Sequence, residues 1–291
     1  MHYYNNKNFF KILFSFNYRD TVKILLPALL GIAIYSGIIA YLEVEYFKLS
    51  ENSSIKGVNL LYTLLSFVLS LLLVFRTNTA YDRWWEGRKL WGKLVNDSRN
   101  LSVKIDSILP LDDAENRDFF RKSISSFPYI LAGHLSEEST ILALDQDYII
   151  SHEISKEHGP IELVSLMMER AQKLKKEGVL SDVDVLYLDT QLTGFLEVCG
   201  GCERIKNTPI PFSYSSFIKK FIILYTLALP IANVLSIGYL IIPLTVFVFY
   251  VLMSLEVIAE EIEDPFSNDE NDLPLQQLAN NIERNVSLII K

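Results

Sequence analysis

The feature that most constrains the fold is a set of long stretches without a single charged side chain. Residues 24–42 and residues 57–75 are uncharged and mostly apolar, and residues 221–255 form one uncharged run of 35. A helix needs about 20 such residues to cross roughly 30 Å of bilayer hydrocarbon. The alternative is a long buried helix of a soluble protein. The stretches favour an integral membrane protein.

The third uncharged run is too long for one crossing and slightly short for two. Asn233, Ser236 and Gly238, which are residue types common in turns, lie near its middle and predict a tight helical hairpin. Lys219 and Lys220 precede the run and can lengthen its first span, because their ammonium groups reach the interface from within the apolar region. The sequence therefore predicts four transmembrane helices.

The basic residues predict the orientation of these spans. The segment after the second span begins with five of them, Arg76, Arg83, Arg88, Lys89 and Lys93, and four more precede the first span. The link between the first two spans has two lysines against three glutamates, and the other link has no charge. Since basic residues collect on the cytoplasmic side, we expect both termini and residues 76–220 in the cytoplasm.

The segment between the second and third spans predicts a helical domain in water. Apolar residues recur at helical spacing over residues 84–108, and similar patterns run through residues 116–133, 160–176 and 181–198. We expect the run Cys-Gly-Gly-Cys-Glu at 199–203 to break the last of these patterns.

Few residues are arranged for enzymatic chemistry. The sequence shows no paired histidine ligands, no nucleophile elbow and no glycine-rich phosphate loop. Cys199 and Cys202 have the spacing of a redox or zinc half-site, but no further zinc ligand lies near them in the sequence. Small residues in a tight turn between helices are the favoured interpretation. We therefore expect that the protein is not an enzyme. The net charge of -8 and the lack of a basic stripe argue against nucleic acid as a partner.

The second span carries an apolar stripe. Phe67, Leu71 and Phe75 fall at i, i+4 and i+8, so they share one helix face over about 12 Å of rise. Any transmembrane helix is apolar on all sides, so the stripe alone does not separate a pore face from a lipid face. Directly after it, Arg76 is expected to extend to the interface, and the charged residues at 82–89 are expected to pair along a continuing helix.

An acidic run follows the fourth span, at residues 260–272. Clustered carboxylates and backbone carbonyls can bind calcium, which takes six to eight oxygens. The spacing does not fit an EF-hand loop. A solvated acidic turn, or one that caps helices through Asp264 and Asn268, is the favoured interpretation.

Three of these segments together resemble the bestrophin family, specifically its bacterial branch. They are RTNTAYDRWWEGRKLWG after the second span, GGCERIKNTPIPFSY before the third and EEIEDPFSNDENDLPL after the fourth. The runs are long and specific, and the resemblance covers essentially the whole chain. It implies an all-α homopentamer in a bacterial inner (plasma) membrane, with five second spans around one axial pore. Its expected activity is passive conduction of small monovalent ions, chloride and other anions foremost.

The resemblance also implies particular site residues. The hydrophobic neck of the pore falls on Phe67, Leu71 and Phe75, and the narrow cytoplasmic aperture falls near Val183. Rings of such apolar side chains can gate by dewetting. Phe67 departs from the branched aliphatic residue expected in many bacterial relatives, which bears on the width of the pore.

In animal relatives the acidic run forms a calcium clasp. By position its side-chain ligands here are Glu261, Asp264, Asp269 and Asp272. Asp264 stands where the animal members carry an asparagine, and bacterial relatives often lack calcium regulation. Calcium is therefore an open expectation, and no other cofactor is expected.

The predicted organisation has five parts. They are a cytoplasmic segment (1–23), transmembrane helices 1 and 2 (24–76), a helical cytoplasmic domain (77–216), transmembrane helices 3 and 4 (217–258) and a cytoplasmic C-terminal segment that packs on that domain (259–291). The expected partners are the lipid bilayer, further copies of the chain and the permeant ions.

Other functions remain open beside the anion channel. The charge of -8 per chain, multiplied by five, favours a cation-selective channel of the same architecture. A non-conducting, membrane-tethered regulatory module requires a polar pocket or cofactor motif in residues 77–216, and the sequence shows no such motif. An active transporter predicts ionisable residues inside the spans, where the sequence has none.

Overall fold

The computed structural model describes residues 21–47, 56–136, 158–267, 269 and 271–291. The described part contains α-helices and no strand, which confirms the all-α fold class. The helices are α1 (Thr21–Tyr41), α2 (Lys56–Ile108), α3 (Ala114–Leu135), α4 (Gly159–Lys176), α5 (Asp182–Asn207), α6 (Phe212–Ile237), α7 (Ile241–Glu263) and α8 (Leu275–Ile289). A π-helical turn, Leu42–Tyr46, continues α1, and a 3-10 turn, Gly238–Leu240, separates α6 from α7.

The described chain divides into two compact units. Among the described residues, the first, the membrane unit, combines those from Thr21 to Asp82 with Ile210–Glu263, and the second, the helical unit, combines those between Arg83 and Pro209 with those from Asp264 to Lys291. Helix α2 supplies residues to both. With 53 residues it is about 80 Å long, more than twice the thickness of bilayer hydrocarbon.

Three stretches of the described residues are long and apolar enough to cross a membrane. They are Thr21–Tyr46, Tyr62–Ile108 and Phe212–Glu263. The last comprises α6 and α7, which meet at Gly238, whose φ of 62° lies in the left-handed region that glycine enters without steric cost. Lys219 near the start of α6 forms an ion pair of 2.7 Å with Glu260 near the end of α7. The two helices therefore form the antiparallel hairpin that the turn residues predict.

The core of the membrane unit is apolar and is formed by all four of its helical segments. Its buried members are Ile32, Leu69, Leu73, Ile218, Ile222 and Phe249. Two tyrosines add specific contacts. The Tyr35 hydroxyl donates to the carbonyl oxygen of Leu227 at 3.0 Å, and the Tyr62 ring stacks on that of Tyr225 with centroids 4.3 Å apart. Because hydroxyls need partners in an apolar surrounding, such contacts favour one arrangement of the helices.

The helical unit is built around the second half of α2. Trp91, Leu94, Leu101 and Ile105 recur at helical spacing, and all are buried among α3, α4, α5 and α8. The helices α3 and α4 coincide with the predicted patterns at 116–133 and 160–176 to within a few residues. Helix α5, in contrast, continues to Asn207 through the Cys-Gly-Gly-Cys run, where we expected a break.

Candidate functional site

The stripe predicted to form the pore neck lies on the exposed face of α2. The exposed fractions of Phe67, Leu71 and Phe75 are 68%, 45% and 55%, whereas Leu69 and Leu73, on the other side of the helix, are buried. Within the protomer these three side chains are far less covered than Leu69 and Leu73. The stripe is therefore available to further copies of the chain, to lipid or to a pore.

The hydroxyl groups beside the stripe are already bonded to the helix itself. The Ser66 hydroxyl donates to the carbonyl oxygen of Thr63 at 2.7 Å, and the Ser70 hydroxyl donates to that of Ser66 at 2.8 Å. Serine commonly makes such back-bonds to carbonyls three or four residues earlier in a helix. As a result the protons of these two hydroxyls are already used in hydrogen bonds, and the face of α2 that carries the stripe presents apolar surface.

Arg76 follows Phe75 directly but lies on the opposite, buried face. Its guanidinium pairs with Glu256 at 3.4 Å and with Glu263 at 2.7 Å, and the Arg76 and Glu256 side chains are 1% and 0% exposed. The expectation that Arg76 extends to the interface is therefore wrong. A buried charge needs a partner, and two carboxylates at the end of α7 supply it. The only signal in the sequence was that each uncharged run ends in an ionisable residue.

The charged segment after Arg76 joins α2 to other parts of the helical unit rather than pairing only along its own helix. The Arg83 guanidinium donates to the carbonyl oxygens of Ile205 and Thr208, both at 2.6 Å. Glu86 forms an ion pair with Arg204. The Trp84 indole donates to the carbonyl oxygen of Asn271 at 2.9 Å. The two Arg83 bonds satisfy carbonyl groups at and just beyond the C-terminal end of α5, where helix carbonyls lack intrahelical partners.

Val183, the predicted aperture residue, lies in the first turn of α5 and is 72% exposed. The turn is held by a capping box. The Asp184 N–H donates to the Ser181 hydroxyl oxygen at 3.2 Å, and the Ser181 N–H donates to the Asp184 carboxylate at 2.9 Å. Leu186 and Tyr187 add exposed apolar surface one turn later. The start of α5 thus exposes the apolar Val183 between two acidic residues, Asp182 and Asp184.

The predicted calcium ligands do not converge in the structure. Among the described residues, no three carboxylates of Glu261, Asp264, Asp269 and Asp272 place an oxygen each within 4.8 Å of one another. Calcium binding requires such convergence of six to eight oxygens, so the clasp remains a prediction.

The acidic run instead forms a turn that its own side chains hold. The Asp272 carboxylate accepts from the Ser267 hydroxyl at 2.7 Å and from the Asp269 N–H at 2.6 Å, while Asp264 accepts from the Phe266 N–H at 3.3 Å. Burial is the main cause that raises the pKa of Asp272 to about 6. The structure thus forms a turn here, but Asp272 is buried in it rather than solvated as the sequence suggested. Asn268, the other expected cap, lies outside the described residues.

The two cysteines lie inside α5 and not in a turn between helices. Gly201 allows this helix to approach α2 closely, since a Cβ there would lie 2.9 Å from two methyl carbons of Leu90. Gly201 therefore permits close packing of α5 against α2, and α5 continues past it without a break. Burial and the Glu203 carboxylate raise the pKa of Cys199 to about 12. A thiol that stays protonated is a poor nucleophile, so a redox role for the free Cys199 has no support.

The chain is similar to proteins of one family along nearly its whole length. Residues 1–288 match the family described as "Bacterial/Fungal Bestrophin protein". A voltage-dependent anion channel-forming protein of Mesorhizobium japonicum is 33% identical over 275 residues, which cover 93% of this chain and 86% of that protein. A protein of the same description from Ralstonia nicotianae is 33% identical and covers 89% of this chain and 85% of its own length.

Solved structures give the same picture. The crystal structure of a bacterial bestrophin homologue from Klebsiella pneumoniae is 26% identical, with a TM-score of 0.78. The similarity covers 92% of this chain and 99% of that one. A second crystal structure, described as a membrane protein, is 28% identical with a TM-score of 0.79.

Proposed function

Because this chain belongs to the bacterial and fungal bestrophin family, we propose that it is a membrane channel that passively conducts small monovalent anions such as chloride. Relatives that match most of its length are named voltage-dependent anion channel-forming proteins. The single observation on which the proposal rests is the stripe of Phe67, Leu71 and Phe75, which is apolar and 45–68% exposed in the protomer. The family also supports a channel rather than an enzyme.

The stripe of a single chain does not enclose a pore, so conduction requires several copies of the chain around an axis. Closed rotational symmetry is the usual way in which identical chains assemble, and five is the number that the family resemblance implies. In such a homopentamer each residue of the stripe becomes a ring of five side chains. The rings of Phe67, Leu71 and Phe75 would form the neck, and a ring of Val183 would form a separate aperture.

Apolar rings control conduction through water rather than through binding. A narrow apolar constriction loses its water column easily, and an ion then has no hydration to cross it. Two features of the protomer support this role. The nearby Ser66 and Ser70 hydroxyls are bonded to backbone carbonyls, and the Arg76 charge is compensated by Glu256 and Glu263. The Ser66 and Ser70 hydroxyls are therefore already bonded, and the buried Arg76 guanidinium is not presented at the neck.

The sign of the permeant ion is expected to depend on the charges near Val183. Its two neighbours, Asp182 and Asp184, would by themselves favour cations. However, Asp182 forms an ion pair with Lys175, and Asp184 accepts from Ser181 at the start of a helix, where the helix dipole is positive. This local compensation supports anion conduction despite the overall charge of -8, which favours the cation alternative.

We further propose a bacterial plasma membrane as the location, with both termini and the helical unit in the cytoplasm. The support is the placement of basic residues. Arg83, Arg88, Lys89 and Lys93 follow the second span, whereas the link from α6 to α7 carries no charge at all. Basic residues are retained on the cytoplasmic side during insertion.

Reversal potentials test the proposed selectivity. The purified full-length protein is reconstituted in a planar bilayer with asymmetric NaCl, and current is recorded against voltage. We expect the reversal potential to lie near the equilibrium potential of chloride. A value near that of sodium would establish the cation channel instead, and absence of current at any voltage would favour the non-conducting module.

A matched pair of variants tests the neck. Phe67→Ala combined with Leu71→Ala widens the rings, so we expect a higher single-channel conductance with unchanged assembly by size-exclusion chromatography. Leu65→Ala is the control, because Leu65 is an exposed apolar residue of the same helix on a different face. Equal effects of both changes would contradict the assignment of the pore to this stripe.

A further inference from the structure

Three metal-ligating side chains meet in the helical unit, away from the stripe, the aperture and the acidic run. The His134 Nε2 lies 2.7 Å from the Glu203 Oε1, and the Cys199 Sγ lies 3.6 Å from the same oxygen. The three ligand atoms all lie within 4.8 Å of one another. Among the described residues this is the one group of three or more histidine, cysteine or carboxylate ligands with that spacing.

The local helical geometry explains how these ligands meet. Cys199 and Glu203 are four residues apart on α5, so their side chains project from one face, the spacing at which two ligands on a helix reach one ion. His134 comes from the last turn of α3. A bound ion would therefore join two helices that already pack together, and little rearrangement would be needed.

The three side chains differ in their exposure to solvent, as expected for a site that an ion can reach from one side. Cys199 is 2% exposed, whereas the His134 and Glu203 side chains are 21% and 34% exposed. The sulfur therefore lies at the inner end and the imidazole and carboxylate at the solvent side. Three protein ligands with a partly exposed side would leave the fourth position of a bound zinc to water.

We propose that His134, Cys199 and Glu203 bind one zinc ion per chain. A thiolate, an imidazole and a carboxylate together suit zinc, whereas calcium and magnesium take oxygen ligands only. Tetrahedral zinc places a sulfur and an oxygen ligand about 3.5 Å apart, and a nitrogen and an oxygen ligand about 3.3 Å apart. The observed sulfur–oxygen distance of 3.6 Å already fits, and the His134–Glu203 contact of 2.7 Å must open by about 0.6 Å.

The proton balance of binding is simple. On binding, the Cys199 thiol would release its proton to solvent and bind as the thiolate, Glu203 would supply a carboxylate oxygen, and His134 would supply its Nε2 lone pair. Without the ion, the imidazole–carboxylate hydrogen bond holds the same three groups together. Cys202 is not one of the three, so the ligands are not the Cys-X-X-Cys pair indicated by the sequence. The expected consequence of binding is a tighter contact between α3 and α5.

Metal content and a cobalt spectrum test the proposal on the full-length protein in detergent. The protein is stripped with a chelator under reducing conditions, loaded with zinc chloride or cobalt chloride and desalted. We expect one metal ion per chain and, with cobalt, the near-ultraviolet charge-transfer absorption of a thiolate ligand. Neither readout depends on conduction, so failure here leaves the channel proposal intact, and failure of the channel proposal leaves this one intact.

Variants identify the ligands. Cys199→Ser should abolish the sulfur-to-cobalt absorption, and His134→Gln and Glu203→Gln should each weaken zinc binding by at least about tenfold, since even outer partners of metal ligands contribute that much. Cys202→Ser is the matched control, a second buried thiol of the same helix that should retain both metal and absorption.

Two outcomes would overturn the proposal. One is a wild-type zinc content no higher than that of Cys199→Ser, and the other is loss of the cobalt absorption in Cys202→Ser with retention in Cys199→Ser. Glu203→Gln preserves the shape of the side chain, and circular dichroism with size-exclusion chromatography reports whether each variant is folded. If Cys199→Ser fails to fold, the glutamine variants still decide, because unchanged zinc affinity in both would refute the site.

Discussion

Two stretches of the same helix, α2, use apolar residues in opposite ways. In residues 67–75 a stripe of Phe67, Leu71 and Phe75 is roughly half to two-thirds exposed. In residues 91–105 a stripe of similar side chains is at most 1% exposed, because α3, α4, α5 and α8 surround it. The residue types and the helical spacing are alike. The difference is whether other helices of the same chain cover them.

The covered stripe of α2 serves stability, whereas the uncovered stripe is available for conduction. Burial of an apolar side chain contributes about 25 cal/mol per Å² removed from water, so the covered stripe stabilises the protomer. The uncovered stripe contributes little of this kind within one chain and is free to face a pore. The boundary between the two stretches is marked by Arg76, whose charge is buried with Glu256. Each prediction below changes one side of this comparison.

The largest effect is expected at the boundary itself. Arg76→Met leaves the fully buried Glu256 without its guanidinium partner, and breaking a buried pair in this way costs about 3–5 kcal/mol. Lys93→Met is the control, because Lys93, also on α2, forms an exposed pair with Glu197 of α5, worth under about 1 kcal/mol. Chemical unfolding in detergent, followed by circular dichroism, measures both. Equal losses of unfolding free energy in the two variants would contradict a stabilising role for the buried Arg76–Glu256 pair.

The second prediction compares one substitution at two positions of α2. Leu94→Ala creates a cavity in the helical unit and should lower the free energy of unfolding by about 2–5 kcal/mol. Leu71→Ala, at a position 45% exposed, should cost less than about 1 kcal/mol and raise conductance. The same unfolding curves provide the measurement. If Leu71→Ala destabilises the protein as much as Leu94→Ala, the stripe packs against other copies of the chain instead of lining a pore.

The third prediction concerns the close contact of α5 with the covered part of α2. Nothing lies within 4 Å of a Cβ at Gly200, so Gly200→Ala should stabilise the helix by about 0.5–1 kcal/mol. A Cβ at Gly201 would press on two methyl carbons of Leu90 at 2.9 Å. Displacing them should make Gly201→Ala less stable than Gly200→Ala by about 1–3 kcal/mol. Thermal unfolding of the pair decides this, and identical midpoints would contradict the tight packing.

The smallest effect is expected at the start of α5, next to Val183. Hydrogen bonds from the Ser181 hydroxyl and N–H lower the pKa of Asp184. A carboxyl whose pKa is lower in the folded state stabilises that state above its ordinary pKa, near about 4, and loses the contribution as the pH falls through the folded value. Asp184→Asn should therefore be less stable than the wild type at neutral pH, with a gap that closes in acid. Thermal unfolding of both proteins across a range of pH measures the gap, and a gap that stays constant into acid would contradict the role of the capping box.

Much of the fold could be predicted because it depends on patterns local in sequence. The hairpin of α6 and α7 turns at Gly238, where turn residues interrupt the uncharged run, and α3 and α4 follow their apolar periodicity. The predicted break in α5 was wrong, because one of the glycines that suggested it is explained by a contact with a residue far away in the sequence. Glycines at 200 and 201 indicated a break in α5, but the structure uses Gly201 for contact with Leu90, a residue of another helix.

The candidate sites show the same limit. The family resemblance named the neck and aperture residues by position, and the structure places them on exposed surface without testing their roles. The His134, Cys199 and Glu203 group had no sequence signal, because 65 residues separate the histidine from the cysteine. Likewise Arg76 and Glu256 are 180 residues apart.

The sequence by itself determined that this protein spans a membrane with helices, where its hairpin turns and which family it resembles. Hydropathy and periodicity are sums over neighbouring residues, so they need no knowledge of the fold. Only the tertiary structure decided which face of α2 is covered, that Arg76 is buried with carboxylates and that His134, Cys199 and Glu203 meet between α3 and α5. A transmembrane helix is apolar on every side, so the identity of its covered face depends on which distant helices pack against it.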